Sequence, residues 1–249
     1  MSTVRVVGHY LSPYVRKVLA CLELKGVAYE IDPVVPFFGD ERFTALSPLR
    51  RVPVLIDDQV TLADSSVICQ YLEDRYPAPA LYPADVADRA RARWLEEYAD
   101  SRMGDVFIWG LYNQAVIEPY VWNKPRDLVA IQRIVAEDVP PVLDYLETQL
   151  PAEGFLFGAL GLADISIAVF LRNAAFARYK VDPTRWPRTA GFVDRVLAQD
   201  CLAKLQPFEA LMLRTPIPEH RSALATAGAP VSAETVGGAA PRRGVMRLP

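Results

Sequence analysis

The stretch Ser12-Pro13-Tyr14-Val15-Arg16-Lys17-Val18 places a hydroxyl at the start of a helix. A short apolar run (Val4, Val6, Val7) leads into it as a strand. Ser12 stands where a helix N-cap belongs, and Pro13 takes the first helical position, where its missing N–H costs nothing. Val15, Val18, Leu19 and Leu22 recur at helical spacing and give the helix one apolar face. A hydroxyl held at the positive end of a helix suits stabilisation of an anion such as a thiolate. A plain helix cap accounts for the same residues taken alone, so the rest of the chain must decide.

Two further segments carry chemistry. In Ser47–Leu55, S-P-L-R-R-V-P-V-L, Pro53 lacks an N–H and belongs at a strand start or an unpaired edge, and it pushes Val52 to extended geometry. A cis Val52-Pro53 bond turns the Val52 N–H and C=O outward, free to pair with an extended peptide by strand addition. A trans bond entering an edge strand is the commoner alternative. In Leu62–Ile68, L-A-D-S-S-V-I, Asp64-Ser65 opens a helix whose N–H groups and Ser65 hydroxyl suit a carboxylate, with Asp64 accepting from an ammonium group. An ordinary acidic N-cap explains that pair equally well. Arg51 can reach a carboxylate too, or it is a solvated surface arginine.

These residues need a frame. Val4–Val7, Val27–Asp32, Val52–Ile56 and Val60–Leu62 read as strands. Ser12–Leu24 and the segment from Asp64 or Ser65 read as helices, with Phe37–Leu46 a poorly defined connection for which a helix is one reading. That β-α-β-α-β-β-α order predicts an α/β sandwich with a mixed sheet over residues 1–80. Pro77, Pro79 and Pro83 mark a linker over 81–88. Helical periodicity alone follows over 89–214, with a kink or break predicted at Pro140-Pro141. From residue 215 the chain turns to Ala, Gly, Pro and Ser with scattered arginines, a composition expected to stay disordered.

Composition narrows the function. In 249 residues, 51% are apolar, enough for a sizeable core, and the formal charge of −3 offers no general attraction to nucleic acid or anionic membrane. No apolar run approaches the ~18 residues of a membrane span. Cys21, Cys69 and Cys201 lie scattered in apolar helical patterns, so buried free thiols in a reducing, cytoplasmic setting are expected. With only His9 and His220, a histidine-based metal site is not expected.

Taken together, the motifs resemble the cytosolic glutathione transferases over residues 1–214. Ser12–Val18 looks like the serine-type active-site segment of bacterial members. Val52-Pro53 matches the family's cis Val-Pro, and Asp64-Ser65 its acidic-Ser pair that holds the γ-glutamyl end of glutathione. Gly161–Ser166, G-L-A-D-I-S, matches the capping motif at the start of the central C-terminal helix. The resemblance implies a thioredoxin-like N-terminal domain followed by an all-helical one. It implies a glutathione-binding site at Arg51, Val52, Pro53, Asp64 and Ser65, and Ser12 as catalytic donor. Glutathione is then the co-substrate, with no further cofactor and no metal, and the partner is an apolar electrophile. A homodimer and a role in detoxification are implied as well. Tyr10 and Tyr14 flank Ser12 as alternative thiol donors. Met103, Phe107, Trp109 and Tyr112, with Tyr179, suggest an acceptor pocket, although such a stripe at helical spacing more often belongs to a core.

Departures matter. The motif at Gly161 lacks a Ser or Thr three residues before Asp164, so half of the capping box is missing and Asp164 reads as a folding residue. Arg50 stands where the family often has a small residue. No cysteine opens the first helix, which disfavours a thiol-disulfide oxidoreductase. The S-S-C-S segment of the maleylacetoacetate isomerase branch is absent. A non-catalytic binding or regulatory module remains the alternative to a transferase.

Overall fold

A computed structural model describes residues 4–243. The first unit begins with β1 (Val4–Val7), α1 (Pro13–Lys25) and β2 (Tyr29–Asp32), then α2 (Glu41–Leu46), β3 (Val54–Ile56), β4 (Thr61–Ala63) and α3 (Ser65–Arg75). The strands form one sheet in the order β2-β1-β3-β4. β1 pairs parallel with β2, which requires the α1 crossover, and antiparallel with β3. β3 and β4 close as an antiparallel hairpin. This is the mixed sheet of a thioredoxin-like domain, as the sequence order predicts. Val6, Val7, Ile31, Val54 and Leu55 are fully buried, as are Val15, Val18, Leu19 and Leu22 from the apolar face of α1. Cys21 and Cys69 meet between α1 and α3 with Sγ atoms 3.6 Å apart, and all three cysteines are free and buried.

The second unit spans Ala80–Gln199 and is helical. Its α4 (Val86–Tyr98) runs on through Ala99–Ile117, wound with the wider i→i+5 pattern, into α5 (Glu118–Trp122). α6 (Leu128–Arg133), a wide turn over Ile134–Asp138 and α7 (Val139–Gln149) follow. The helix expected to kink or break at Pro140-Pro141 is not interrupted: its backbone stays helical through Asp138 and Val139, and the wider i→i+5 winding over Ile134–Asp138 lies just ahead of the two prolines. α8 (Leu162–Phe176) is buried along nearly its whole length, and amphipathic α9 (Pro187–Leu197) packs beside it. The stretch read as a linker is partly built into this unit. Leu81 is buried, and the buried Tyr82 hydroxyl donates to Glu96 at 2.6 Å.

The motif at Gly161 explains its own departure. Asp164 accepts from the N–H groups of Gly161 and Leu156, both at 2.9 Å. A Cβ at Gly161 would stand 2.9 Å from the Leu81 carbonyl oxygen, which also accepts from Leu162 N–H at 2.9 Å. A backbone carbonyl occupies the space a Ser or Thr would need, so only half of a capping box forms.

The chain then returns to the first unit with α10 (Asp200–Ala203), α11 (Gln206–Met212) and α12 (His220–Thr226). The sequence reading placed residues up to 214 with the helical domain. Instead, α11 sends Glu209 to Arg16 of α1 and lays Phe208 on Tyr10 at 5.0 Å between ring centroids.

The expectation of a disordered tail is also overturned for the described part of 215–249. Val231 pairs with Ile31 as a parallel bridge on the open edge of β2, with Ile31 N–H donating to Pro230 and Ser232 N–H to Ile31. The buried Asp32 carboxylate accepts from Arg221 at 3.1 Å and from Val236 N–H at 2.8 Å. Main-chain pairing to an open strand edge needs little apolar side-chain mass, so composition alone misses it. The expectation for residues 244–249 lies outside the described residues.

Candidate active site

Ser12 is the N-cap of α1, with φ −81° and ψ 125°, and its Oγ accepts from Val15 N–H at 3.4 Å. That bond uses a lone pair and leaves the hydroxyl proton free to be donated. The residue keeps 8% of its surface exposed. Gly8 sets how closely the neighbouring parts approach. Its φ is +150°, and a Cβ there would stand 2.4 Å from Val15 and 3.3 Å from Val52. Only glycine lets the end of β1, the first turn of α1 and the segment before β3 converge.

At that segment the Val52-Pro53 bond is cis, as the family resemblance implied. Among the described residues, the Val52 main chain takes part in no hydrogen bond. Its neighbours are firmly held. Ser47, itself buried, accepts from Arg51 N–H at 3.0 Å and donates to the Arg51 carbonyl at 2.9 Å. The Arg51 side chain is exposed. Arg50 adopts a left-handed φ of +51° and is buried, donating to Thr44 at 2.5 Å and to the Gly39 carbonyl at 2.8 Å.

A third element brings Asp64 and Ser65. Asp64 is the N-cap of α3, and its Oδ1 accepts from Ser66 and Val67 N–H groups at 3.0 and 3.1 Å. This leaves Oδ2 of an exposed carboxylate at the helix start. Ser65 is buried at the first helical position. The buried ammonium of Lys17, on α1, donates to Ser66 at 3.1 Å and ties the two helix starts together. Ser12, Val52, Asp64 and Ser65 are therefore carried on converging elements of one unit. The geometry presents a hydroxyl, an unpaired strand edge and a helix start, a set suited to an extended peptide with a carboxylate and a thiol.

Other sequence-predicted residues fall elsewhere. Tyr10 is fully buried against Phe208, and burial raises its hydroxyl well above the ordinary phenol range, so it does not face a ligand. Tyr14 is half-buried on the first turn of α1. Met103 and Phe107 are fully buried and Tyr112 nearly so, while Trp109 and Tyr179 are half-buried. Met103 and Phe107 thus present no open surface as an acceptor pocket. Behind Ser12, the Nδ1 atom of His9 is buried, and its pKa falls to about 3 through burial, His220 and Arg16. Among the described residues no cluster could hold a metal ion, and no helix is long and apolar enough to cross a membrane.

Sequence reasoning missed Ser47, Lys17 and Asp32. The partners of Lys17 and Asp32 lie in distant segments, and Ser47 bonds the main chain of Arg51 only four residues on, in a turn with no recognisable spacing signal.

The fold defines a thioredoxin-like domain joined to a helical unit, and comparison with known proteins gives this class its family. Residues 6–80 match the family model described as the glutathione S-transferase N-terminal domain, and 114–195 its C-terminal domain. The GST-like protein YibF of Escherichia coli is 30% identical over 211 residues, covering 83% of this chain and 100% of that protein. A maleylacetoacetate isomerase of Pseudomonas aeruginosa is 30% identical over 207 residues, covering 80% of this chain and 93% of its own length. The crystal structure of a glutathione S-transferase from Rhodospirillum rubrum superposes with a TM-score of 0.75 at 28% identity, over 82% of this chain and 91% of that one. The chain belongs to the glutathione S-transferase family. It is an enzyme of the glutathione transferase type.

Proposed function

We propose that the protein conjugates the thiolate of glutathione to a small apolar electrophile, with Ser12 stabilising the thiolate. The observation that carries this reading is the Ser12 hydroxyl, which caps α1 as an acceptor and keeps its proton for a ligand. Glutathione lies along Val52, main chain to main chain, with its γ-glutamyl carboxylate at Ser65 and the α3 N-terminus, its ammonium at Asp64, and Arg51 within reach of its other carboxylate. Its thiol proton passes to solvent. The sulfur forms a bond to the electrophilic carbon, and the leaving group departs with the electron pair of the bond that breaks.

Magnitudes assign the larger part to the hydroxyl. Lowering a free thiol from ~8.5 by two units takes ~2.7 kcal/mol. A helix terminus supplies ~0.3–1 kcal/mol. A hydrogen bond to a charged group supplies ~1.5–3 kcal/mol. Serine acts as a donor and stays un-ionised.

The test is retention on immobilised glutathione, followed by a conjugation assay with a halogenated nitroarene. Retention without turnover over a panel of electrophiles supports the alternative of a non-catalytic binding module. A homodimer with cytoplasmic residence completes the proposal on family grounds. Light scattering that returns a monomer mass at micromolar concentration contradicts the dimer.

A further inference from the structure

We infer that the C-terminal segment over 229–243 is a strap that positions the glutathione seat through Arg50. The inference rests on the reading of Val52 as that seat. The loop between β2 and α2, residues 36–40, lies between two sets of donors and acceptors. On one side is the tail. Asp40 N–H donates to the Val236 carbonyl at 2.9 Å, Gly238 N–H to Phe38 at 2.5 Å and Arg242 N–H to Phe37 at 2.7 Å. Gly237 pairs with Gly39 as an antiparallel bridge, and Arg42 donates to the Thr235 carbonyl at 2.7 Å. On the other side is Arg50, whose guanidinium donates to the Gly39 carbonyl at 2.8 Å and lies 5.6 Å from the centre of the Phe43 ring.

The loop is short, pairs with the tail through Gly39, and offers its Gly39 carbonyl to Arg50. Arg50 is joined to Val52 by Arg51 alone, and its own N–H donates to Ser47 at 2.7 Å, the serine that also brackets Arg51. A left-handed φ of +51° at a non-glycine residue persists only where its surroundings over-determine it. Those surroundings are the carbonyl of Gly39, Thr44 and the Phe43 ring; the tail pairs with Gly39 and with Asp40, whose carboxylate accepts from Phe43 N–H at the start of α2. The tail itself is anchored at Asp32, which receives Arg221 and Val236 N–H, and at Ile31 on the β2 edge. Hydrogen bonds therefore run without a gap from the tail, through the loop and Arg50, to the backbone that flanks Val52. Arg50 is a positioning residue. Its guanidinium bonds the Gly39 carbonyl, whose residue pairs with Gly237 of the tail.

The full chain, a chain ended after Gly228, Arg50→Ala and Val236→Pro are to be compared. Glutathione affinity by calorimetry, KM and kcat with a halogenated nitroarene, and exchange of individual backbone amides are measured. Ending the chain after Gly228 should weaken glutathione by about tenfold and raise its KM with kcat little changed. It should also speed exchange at the Arg50 amide by about tenfold or more. A synthetic peptide of residues 229–243 added in trans should restore affinity and protection. Arg50→Ala should reproduce the loss, and truncation in its background should add nothing further. Should the truncated chain fail to fold, Val236→Pro carries the same comparison, since it removes the N–H that Asp32 accepts, with Val236→Ala as the control for loss of the buried side chain. A folded truncated or Val236→Pro chain with unchanged affinity and unchanged Arg50 exchange overturns the inference. A full chain that binds no glutathione contradicts the functional reading instead. The exchange data then still decide the strap: acceleration at Arg50 supports it, and none overturns it.

Discussion

The guanidinium of Arg16 lies 3.0 Å from the carboxylate of Glu209, with both side chains withdrawn from solvent. One stands on α1, four residues after the Ser12 cap, and the other on α11, which sequence reasoning had placed in another domain. Two charges desolvated together leave a large penalty when either is removed. Glu209→Ala should therefore lower stability by about 3–5 kcal/mol in urea unfolding. Replacing the pair together by Met and Leu should recover most of that loss, because no buried charge is then left alone. A Glu209→Ala change of under ~1 kcal/mol would show that water or another group compensates Arg16.

Ser12 offers a separation of folding from chemistry. Glycine caps a helix nearly as well as serine, so Ser12→Gly should cost only a few tenths of a kcal/mol in stability. It removes the hydroxyl, so the bound thiol's pKa should rise and conjugation at neutral pH should fall steeply. Affinity should change little, because the carboxylate anchors remain. Thiolate absorbance against pH in glutathione complexes of Ser12→Gly, Tyr10→Phe and Tyr14→Phe checks this. A raised thiol pKa in Tyr14→Phe alone would transfer the role to that phenol. Tyr10→Phe should be silent, since Tyr10 is buried against Phe208.

At the start of α3, Ser65→Ala should weaken glutathione by about 1–3 kcal/mol, the cost of leaving a charged group without its partner. Asp64→Ala should do so as well and should also loosen the helix, because Asp64 accepts from two α3 N–H groups. Asp64→Asn keeps an oxygen for the cap while removing the charge, and so isolates the ammonium contact. Calorimetry that shows unchanged affinity for both Ser65→Ala and Asp64→Ala removes this seat from consideration.

Asp164 carries a pH signature. Burial pushes its carboxyl up to about 6, although the N–H groups of Leu156 and Gly161 pull the other way. An unfolded aspartate titrates near ~3.9. The folded state therefore holds the proton more tightly, and this contribution is complete below pH ~4 and lost as pH rises through 6. A shift of about two units corresponds to about 3 kcal/mol. Relative to Asp164→Asn, the protein should lose about that much stability between pH 4 and pH 7 in denaturant titrations. A difference that stays flat across this range refutes the raised pKa.

How much of this was legible differs from segment to segment. The strands, α1, α3 and the residues at their starts follow from local rules. Val4–Val7 is a short run of valines around Arg5, Ser12-Pro13 is a cap followed by a proline that needs no N–H, and Asp64 caps α3 through its own side chain. Each of these depends on residues within one turn of each other, so the sequence by itself determined them, and with them the family. Long-range pairing was not legible. Whether Tyr10 faces a ligand or Phe208, whether Glu209 joins α1, and whether the polar, glycine-bearing tail binds the β2 edge depend on contacts between residues roughly two hundred apart in the chain. The tail's bonds are largely main chain to main chain, and a backbone N–H looks the same at every residue. Only the folded sheet, with one edge left open at β2, decided where those groups would go.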